Sequence, residues 1–269
     1  MRLSEARVVL TGASGGIGLA IATALCAAGA RVLAVARHRE PLAALIERYP
    51  RNLCWIGADL TVATDRREVL AEAQSIGGIN LLVNAAGVNH FAMLDQLDDS
   101  EINAMLAVNI SAPICLTKLL LPLLKRADSA MVVNVGSTYG SIGYPGYASY
   151  CATKFALRGF SEALRRELAD TRVSVLYVAP RATRTSMNSP AAQAFNDAIK
   201  ANVDDPKTVA TAVIHAIAGD RRDLYLGWPE RFFVRLNSLL PNLVDRGLRK
   251  QLPLVRRLSQ KPDKENLEP

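Results

Sequence analysis

Cysteine and histidine are scarce in this sequence, and neither forms a cluster. The four cysteines, Cys26, Cys54, Cys115 and Cys151, include no C-x-x-C pair, and the three histidines lie far apart. Disulfide frameworks and zinc sites usually contain paired or clustered residues of these types. We therefore expect neither in this protein. Cys26, Cys54 and Cys115 stand in apolar stretches, which predicts small buried thiols in a reducing compartment.

Long apolar runs are also missing. No uninterrupted stretch approaches the roughly 18–20 residues that a membrane-spanning helix needs. Residues 1–10 contain Glu5 and Arg7 and lead directly into a strand pattern, unlike a secretory signal. We therefore expect a cytoplasmic protein. The net charge of +7 is diffuse and lacks aromatic-basic interleaving, which argues against nucleic-acid binding.

Short apolar runs alternate with helical patterns along most of the 269 residues. Strands are predicted at 7–11, 31–36, 53–57, 79–83, 130–135, 172–178 and 223–227, and helices at 16–28, 41–49, 64–75, 98–126 and 150–169. Because the strands are continuous apolar runs, a parallel sheet covered by helices on both faces is indicated. We predict one doubly wound, Rossmann-type α/β domain over residues 1–228, with Pro113 and Pro122 interrupting the long helix. The irregular stretch 181–205 is predicted to be a functional lid.

Roughly forty residues follow that domain. Pro229, Pro241 and Pro253 each precede an apolar and basic stretch, which predicts two or three short amphipathic helices in an extension over 229–269. Residues 261–269 are predicted to be disordered. The apolar stripe from Phe232 to Leu252 has several open explanations: packing on the core or on a sister subunit, a cap over an apolar substrate, an anchor on the inner face of a membrane, or a basic dock for an acidic carrier.

A glycine-rich turn follows the first predicted strand and opens the first helix. Glycines at 12, 16 and 18 allow a sharp turn and a close approach of phosphate to the backbone, and the helix N-terminus offers free N–H groups. Gly12, Ser14, Gly16, Ile17 and Gly18 are therefore candidate cofactor-binding residues. A glycine-rich turn without a ligand is the alternative.

Tyrosines crowd the stretch 139–150, and only Tyr150 has a lysine, Lys154, one helical turn away. A neighbouring ammonium favours phenolate and lowers the pKa of the phenol, which would suit proton transfer. An ordinary surface tyrosine–lysine pair is the alternative. Ser137 follows the fifth strand, at the sheet edge where ligands of parallel sheets bind.

These residues together resemble the short-chain dehydrogenase/reductase family over residues 5 to about 227. The turn Thr11–Gly18 is similar to its TGxxxGxG motif, and Asn84–Gly87 is similar to its NAG-type sheet-stabilising motif. The catalytic tetrad of the family corresponds, in the expected order, to Asn109, Ser137, Tyr150 and Lys154.

The resemblance implies hydride transfer between a nicotinamide cofactor and a carbonyl or secondary alcohol. Tyr150 would exchange the proton, Lys154 would tune Tyr150 and bind the ribose, Ser137 would polarise the carbonyl, and Asn109 would hold a relay water. It also implies homodimers or tetramers, and cofactor contacts from Asp59, Leu60, Asn84, Ala85, Gly87, Tyr150, Lys154, Pro180 and Thr185.

The end of the second strand indicates which nicotinamide is bound. Ala36 stands where NAD-specific sites place an acid for the ribose hydroxyl, and Arg37 follows it. An arginine fork suits a 2′-phosphate, so NADP(H) is predicted. The alternative is that Arg37 simply follows the strand and binds no phosphate. Arg181 replaces the glycine in the family pattern P-G-x-x-x-T, and we expect it to face the substrate cleft.

We therefore predict an NADP(H)-dependent oxidoreductase that acts on a small-molecule carbonyl or alcohol, fatty-acyl-like or otherwise apolar. The rival hypothesis is a catalytically idle NADP(H)-binding protein whose basic amphipathic tail contacts a membrane or a partner. The intact tetrad argues against the rival, because an idle relative would tolerate the loss of Tyr150 or Lys154.

Overall fold

The computed structural model describes residues 1–259, and the predicted disorder at 261–269 lies outside them. Within the described residues, one sheet contains seven strands in the order β3-β2-β1-β4-β5-β6-β7, and every neighbouring pair is parallel. The strands are β1 Arg7–Thr11, β2 Arg31–Ala36, β3 Leu53–Gly57, β4 Leu81–Asn84, β5 Ala130–Val135, β6 Val173–Ala179 and β7 Asp223–Tyr225. This order confirms the predicted doubly wound, Rossmann-type sheet.

Helices cover both faces of the sheet. They are α1 Gly16–Ala27, α2 Ala43–Arg48, α3 Ala63–Ser75, α4 Asp99–Leu106, α5 Ala112–Arg126, α6 Ala148–Glu167, α7 Pro190–Ala198, α8 Pro206–Ala218, α9 Trp228–Leu239, α10 Pro241–Arg249 and α11 Leu252–Ser259. Successive residues of β1 point to opposite faces of the sheet. On one face Val8 belongs to a core cluster with Ile21 of α1 and Val213 of α8. On the other face Val9 belongs to a second cluster with Leu116 of α5. Both faces of the central strands are buried, which explains their continuous apolar runs.

The predicted long helix is divided by a π turn, Ala107–Ser111, and not by its prolines. In this turn the Ala112 N–H donates to the Ala107 carbonyl, five residues back. Pro113 lies in the first turn of α5, and Pro122 lies inside a helix that continues past it. The prediction that these prolines interrupt the helix was therefore wrong about the position of the break.

The combined stretch Asp99–Arg126 is long and apolar enough to cross a membrane, although the sequence contains no uninterrupted apolar run of that length. Leu116, Leu120 and Leu124 of this stretch are fully buried in the core cluster between the sheet and α3. Core helices meet the same length and composition criteria, so packing on the sheet accounts for the apolar composition.

The cysteines only partly follow the prediction of buried thiols. Cys26 and Cys151 are buried, and burial raises the pKa of each thiol to about 11. Cys54 and Cys115 are exposed, which corrects the prediction for these two. Cys54 lies on β3, an edge strand with a neighbour on one side only, and Cys115 lies on the outer side of α5. All four thiols are free.

The lid predicted as irregular at 181–205 contains the helix α7. The Ser189 hydroxyl accepts a hydrogen bond from the Ala192 N–H at the N-cap, and Pro190 occupies the first helical position. Such Ser-Pro pairs favour a helix start, and fully buried Phe195 holds the helix against the body of the protein. The tail forms the three short helices α9, α10 and α11, as predicted.

A series of hydrogen-bonded, buried polar side chains links the strands β4 and β5 to the helices α5 and α6. The Asn84 amide donates to Thr117 Oγ1 of α5 at 3.1 Å and to Asn134 Oδ1 of β5 at 2.8 Å. Asn134 donates to Ser161 Oγ of α6 at 2.8 Å, and Ser161 donates to the Leu157 carbonyl at 2.7 Å. This series fixes α5 and α6 against the sheet.

Asn134→Ala should lower stability more than an exposed asparagine substitution does. The change leaves the Asn84 amide and the Ser161 hydroxyl without one partner each inside the core, at a cost of about 1–3 kcal/mol per buried group. Urea unfolding midpoints measure the effect, with Asn242→Ala at an exposed position of α10 as the control. Equal midpoints for the two variants would contradict this role of Asn134.

Candidate active site

The carboxyl ends of β1, β4, β5 and β6 open into one cavity of about 1670 Å³, which runs from the glycine turn to the tail helices. Sites for one small ligand usually occupy about 300–1000 Å³, so this cavity has room for a dinucleotide and a second molecule. Most of the predicted site residues line it: Gly12, Ser14, Gly16, Ile17, Gly18, Arg37, Asp59, Leu60, Ala85, Gly87, Ser137, Tyr150, Lys154, Pro180 and Thr185.

The glycine turn leaves no space for side chains. A Cβ on Gly12, whose φ is +64°, would lie 2.7 Å from the Ala86 backbone, and one on Gly18 would lie 2.1 Å from the Gly12 carbonyl oxygen. A Cβ on Gly16 would lie 2.6 Å from Thr185 Cγ2. Helix α1 begins here with no side chain capping its N-terminus. Its free N–H groups and partial positive charge therefore face the cavity, which suits a pyrophosphate.

One end of the cavity carries a cationic side chain, Arg37, and an anionic one, Asp59. Arg37 follows β2 directly, and Ala36 beside it offers no carboxylate. The Thr61 hydroxyl and N–H donate to Asp59 at 2.7 and 2.9 Å, and these bonds, with a smaller contribution from nearby Arg37, lower the pKa of the Asp59 carboxyl. Within residues 1–259 the guanidinium of Arg37 forms no ion pair closer than 4 Å, and it lines the cavity, where a phosphate would meet it.

Three predicted catalytic residues meet in the middle of the cavity. Ser137 follows β5, and its side chain is hydrogen-bonded to the Tyr150 hydroxyl. Lys154 is buried one helical turn further along α6, where its Nζ donates to the Val135 carbonyl at 3.1 Å and lies 5.5 Å from the centre of the Tyr150 ring. Tyr177 braces Ser137: its hydroxyl donates to the Ser137 carbonyl at 3.2 Å.

Burial dominates the acid–base properties of this group. Desolvation raises the pKa of Tyr150 above that of a free phenol, and the hydrogen bond with Ser137 opposes the rise. Desolvation lowers the pKa of Lys154 to about 8. The protein's own groups therefore do not produce the lowered tyrosine pKa that the sequence predicted. Tyr150 is protonated at neutral pH and stands ready to donate.

Asn109 does not reach the cavity wall. It is buried on the π turn, where its amide donates to the Val88 carbonyl and accepts from the Val88 N–H, both at 2.9 Å, and donates to Thr153 Oγ1 at 3.1 Å. A Cβ on Gly87 would lie 3.3 Å from Asn109 Oδ1 and 3.6 Å from Lys154 Nζ. Asn109 thus fixes the loop after β4 close to Lys154.

Asn84 also lies away from the cavity, since its side chain belongs to the buried series of Asn134 and Ser161. The loop after it is positioned by Thr11, whose hydroxyl accepts from the N–H groups of Ala85 and Ala86 at 3.0 and 3.2 Å. Thr11 is a residue whose role the sequence motif did not reveal.

Arg181 lines the cavity, as expected, but its charge is engaged elsewhere. Its guanidinium forms ion pairs with Asp204 of the lid at 2.7 Å and with Glu230 of α9 at 3.4 Å, all three side chains being largely buried. Next to it, Thr183 and Asp204 form an isolated parallel bridge that closes the base of the lid. Arg181 therefore ties the end of β6, the lid and the tail together.

The tail forms the far wall of the cavity. Phe233 and Leu236 of α9 and Val244 and Leu248 of α10 line it. The cavity is also lined by an aromatic group in which Tyr139 contacts Tyr144, Tyr147 and Tyr150 with ring centres 5.1, 5.0 and 6.4 Å apart. Between the catalytic group and the tail, the cavity is thus largely apolar.

Two hydrogen bonds attach the tail helices to the segment that precedes α6. The Tyr144 hydroxyl donates to Gln251 Oε1, in the turn between α10 and α11. Asn237 of α9 donates to the Ser141 carbonyl at 3.0 Å. Glu230 and Gln251 line the cavity, and Asn237 supports its wall. The sequence reading missed all three, because each partner lies far away along the chain.

Known proteins are similar to this chain in sequence and in fold. Residues 6–196 match the sequence profile described as short chain dehydrogenase. The uncharacterized oxidoreductase YxnA of Bacillus subtilis is 30% identical over 93% of this chain and 73% of its own length. A 3-oxoacyl-[acyl-carrier-protein] reductase, FabG of Vibrio harveyi, is 32% identical over 80% of this chain and 90% of its own.

A solved structure agrees with these relatives. A short chain dehydrogenase of Burkholderia cenocepacia J2315 in complex with NADP is 30% identical, covers 84% of this chain and 97% of its own, and superposes with a TM-score of 0.75. The profile match covers more than half of the residues, and the fold and the glycine turn agree with it. This chain belongs to the short chain dehydrogenase family.

Proposed function

We propose that this enzyme is an NADP(H)-dependent oxidoreductase that interconverts an apolar carbonyl compound and its secondary alcohol. The observation that carries the proposal is the group of Ser137, Tyr150 and Lys154, assembled between an uncapped helix N-terminus and an apolar wall. Two related proteins support it: the Burkholderia structure contains NADP, and the Vibrio relative is a reductase of 3-oxoacyl groups.

The residues present fit a dinucleotide. The tight turn at Gly12 and Gly18, where a Cβ would collide with the backbone, together with the free N–H groups of α1, suits the pyrophosphate. Arg37 would meet the 2′-phosphate, and Asp59 and Leu60 would border the adenine. Lys154, Pro180 and Thr185 would border the nicotinamide end. When bound, the nicotinamide ring supplies or accepts the hydride.

The chain's own residues would handle the oxygen and the proton. In reduction, the carbonyl carbon gains a hydride and the carbonyl oxygen gains the Tyr150 proton, which yields the alcohol. Ser137 would hydrogen-bond the oxygen as negative charge develops on it. Burial raises the pKa of Tyr150 and so keeps its proton in place at neutral pH, ready for transfer in the reductive step. Asn109, held beside Lys154, is proposed to border the water path that returns a proton.

The apolar wall supports a long-chain or otherwise apolar substrate. The aromatic group around Tyr139 and the tail residues Phe233, Leu236 and Leu248 line the same cavity, and apolar walls select by shape and by the area they bury. A division into a catalytic domain at 1–228 and an extension at 229–269 stays a prediction, as does a homodimer or tetramer.

Two other hypotheses differ in what they require. A catalytically idle protein has no need of the Ser137–Tyr150 hydrogen bond beside a buried lysine, so the assembled group favours the enzyme. Delivery by an acidic acyl carrier needs a basic rim, and the tail has one in Arg246, Arg249 and Lys250.

Tyr150→Phe should lower kcat by about 10²–10⁴-fold and leave the Kd for NADPH nearly unchanged, because only the transferable proton is removed. NADPH oxidation with a panel of ketones measures turnover, and quenching of protein fluorescence measures binding. Tyr147→Phe, a buried neighbour at the same cavity, is the matched control and should keep most activity. Near-normal turnover by Tyr150→Phe would contradict the assignment.

Arg37→Ala should weaken NADPH binding by about 10–100-fold and hardly affect NADH, since a charge-assisted pair with the 2′-phosphate is lost. Titration of both cofactors measures the ratio. Arg39→Ala, two residues along and outside the cavity wall, should change neither. Equal losses for both cofactors would show that Arg37 does not recognise the phosphate.

Phe233→Ala should lower kcat/KM for long-chain ketones by about tenfold and leave short ones nearly unchanged, because part of the apolar wall disappears. Phe232→Ala offers a matched control: the two rings are 53% and 49% exposed, but only Phe233 lines the cavity. A chain-length series with saturating NADPH measures the change. If both variants respond alike, the tail does not bind the substrate chain.

A further inference from the structure

Helix α9 carries two apolar faces. The inner face, with Phe233 and Leu236, lines the cavity. The outer face, defined by Trp228, Phe232 and Leu239, follows helical spacing along the adjacent side of the helix, about 100° round the axis from Phe233. Trp228 and Leu239 are 78% and 79% exposed, and the Trp228 ring stacks on Phe232 at 6.4 Å. Together with exposed Leu240 in the following turn, these residues form what we term the outer patch.

Exposed basic side chains lie beside the outer patch. Residues 228–250 contain five basic and two acidic side chains, a net charge of +3. One of the acids, Glu230, is paired with Arg181. Within residues 1–259 none of the five cations forms an ion pair. The five are Arg231, Arg235, Arg246, Arg249 and Lys250.

We propose that the outer patch and its cations bind the surface of an anionic lipid bilayer. A helix with aromatic and aliphatic side chains flanked by arginine and lysine inserts its apolar face at the headgroup boundary, and anionic lipids attract the cations. Tryptophan is enriched at that boundary. The same helices wall the cavity, so an apolar substrate dissolved in the bilayer would enter beside Phe233 and Leu236. This account of entry rests on the proposed function, but the docking does not.

The chemistry favours a bilayer over two other occupants. A second copy of the chain on this face, related by a twofold axis, would bring the five cations of one subunit against those of the other. An acidic carrier protein would pair with the cations but would leave no reason for the exposed indole and phenyl rings. A bilayer with anionic headgroups satisfies both the rings and the charges.

Vesicle flotation tests the proposal on the full-length protein. The wild type should bind phosphatidylcholine vesicles containing about 30 mol% phosphatidylglycerol at least about tenfold more strongly than pure phosphatidylcholine, and about 0.5 M NaCl should weaken the binding. Trp228→Ser combined with Phe232→Ser should reduce binding at least about tenfold. Leu94→Ser, at a 57% exposed leucine outside this surface, should not.

Fluorescence reports the contact directly. The chain has two tryptophans, and Trp55, which is half-buried, donates to the Ala36 carbonyl. Brominated lipids in the anionic vesicles should quench the wild type and spare Trp228→Phe. Turnover of a short water-soluble ketone, followed in parallel, should be the same in wild type and double variant, which separates failed docking from failed catalysis.

Two outcomes would overturn the proposal. One is the absence of any preference for anionic vesicles at low salt, with no quenching of Trp228. The other is a fall in solution mass of the double variant, measured by light scattering, without any vesicle binding by the wild type. That second result would identify the outer patch as a contact between subunits.

Discussion

The burial of the Lys154 ammonium at the carboxyl end of β5 is the constraint on which the site depends. A charged group is expensive to bury, and here the single protein acceptor of Nζ is the Val135 carbonyl. Desolvation lowers the lysine pKa to about 8 in consequence. The position is possible only because α6 is fixed against the sheet by Asn134 and Ser161. The same fixation places Tyr150 at Ser137, so stability of the sheet and geometry of the site have one origin.

The Arg181 ion pairs extend this dependence to the parts of the chain that close the cavity. Where the family pattern has glycine, Arg181 gathers Asp204 and Glu230 in a partly buried network. Removal of one partner from such a network leaves a charge without compensation, which costs more than the pair contributes when intact. The lid and the first tail helix are thus coupled through one side chain at the end of β6. We therefore expect a movement of one to displace the other.

Sequence patterns were sufficient for the sheet and for most of the cavity lining. Continuous apolar runs, the glycine spacing and the Tyr150–Lys154 interval are local signals, and each depends on backbone geometry that short segments determine. Three features escaped because their causes are not local. The helix α7 is held by Phe195 in the core, Cys54 is exposed because β3 is an edge strand, and Glu230 is a site residue because Arg181, 49 positions earlier, meets it.

The pKa of Tyr150 also depends on burial, which sequence spacing leaves out. Sequence spacing places a lysine near the phenol, and a neighbouring ammonium stabilises phenolate. The structure adds the two facts that spacing omits: both groups are buried, and the ammonium lies 5.5 Å from the ring centre. Desolvation opposes charge on either group, so the protein alone holds tyrosine as an acid.

The two faces of α9 connect this chemistry to the outside of the molecule. A helix that served only as a wall would need one apolar stripe, and solvent would select polar residues for the rest. Instead, Phe232 and Phe233 are adjacent in sequence and similar in exposure, their ring centres lie 5.8 Å apart, and only Phe233 of the two lines the cavity. A contiguous exposed apolar patch of this kind marks a contact surface. The arrangement therefore makes the wall of the cavity and the contact surface two sides of one helix, so that whatever binds outside bears directly on the space where the substrate lies.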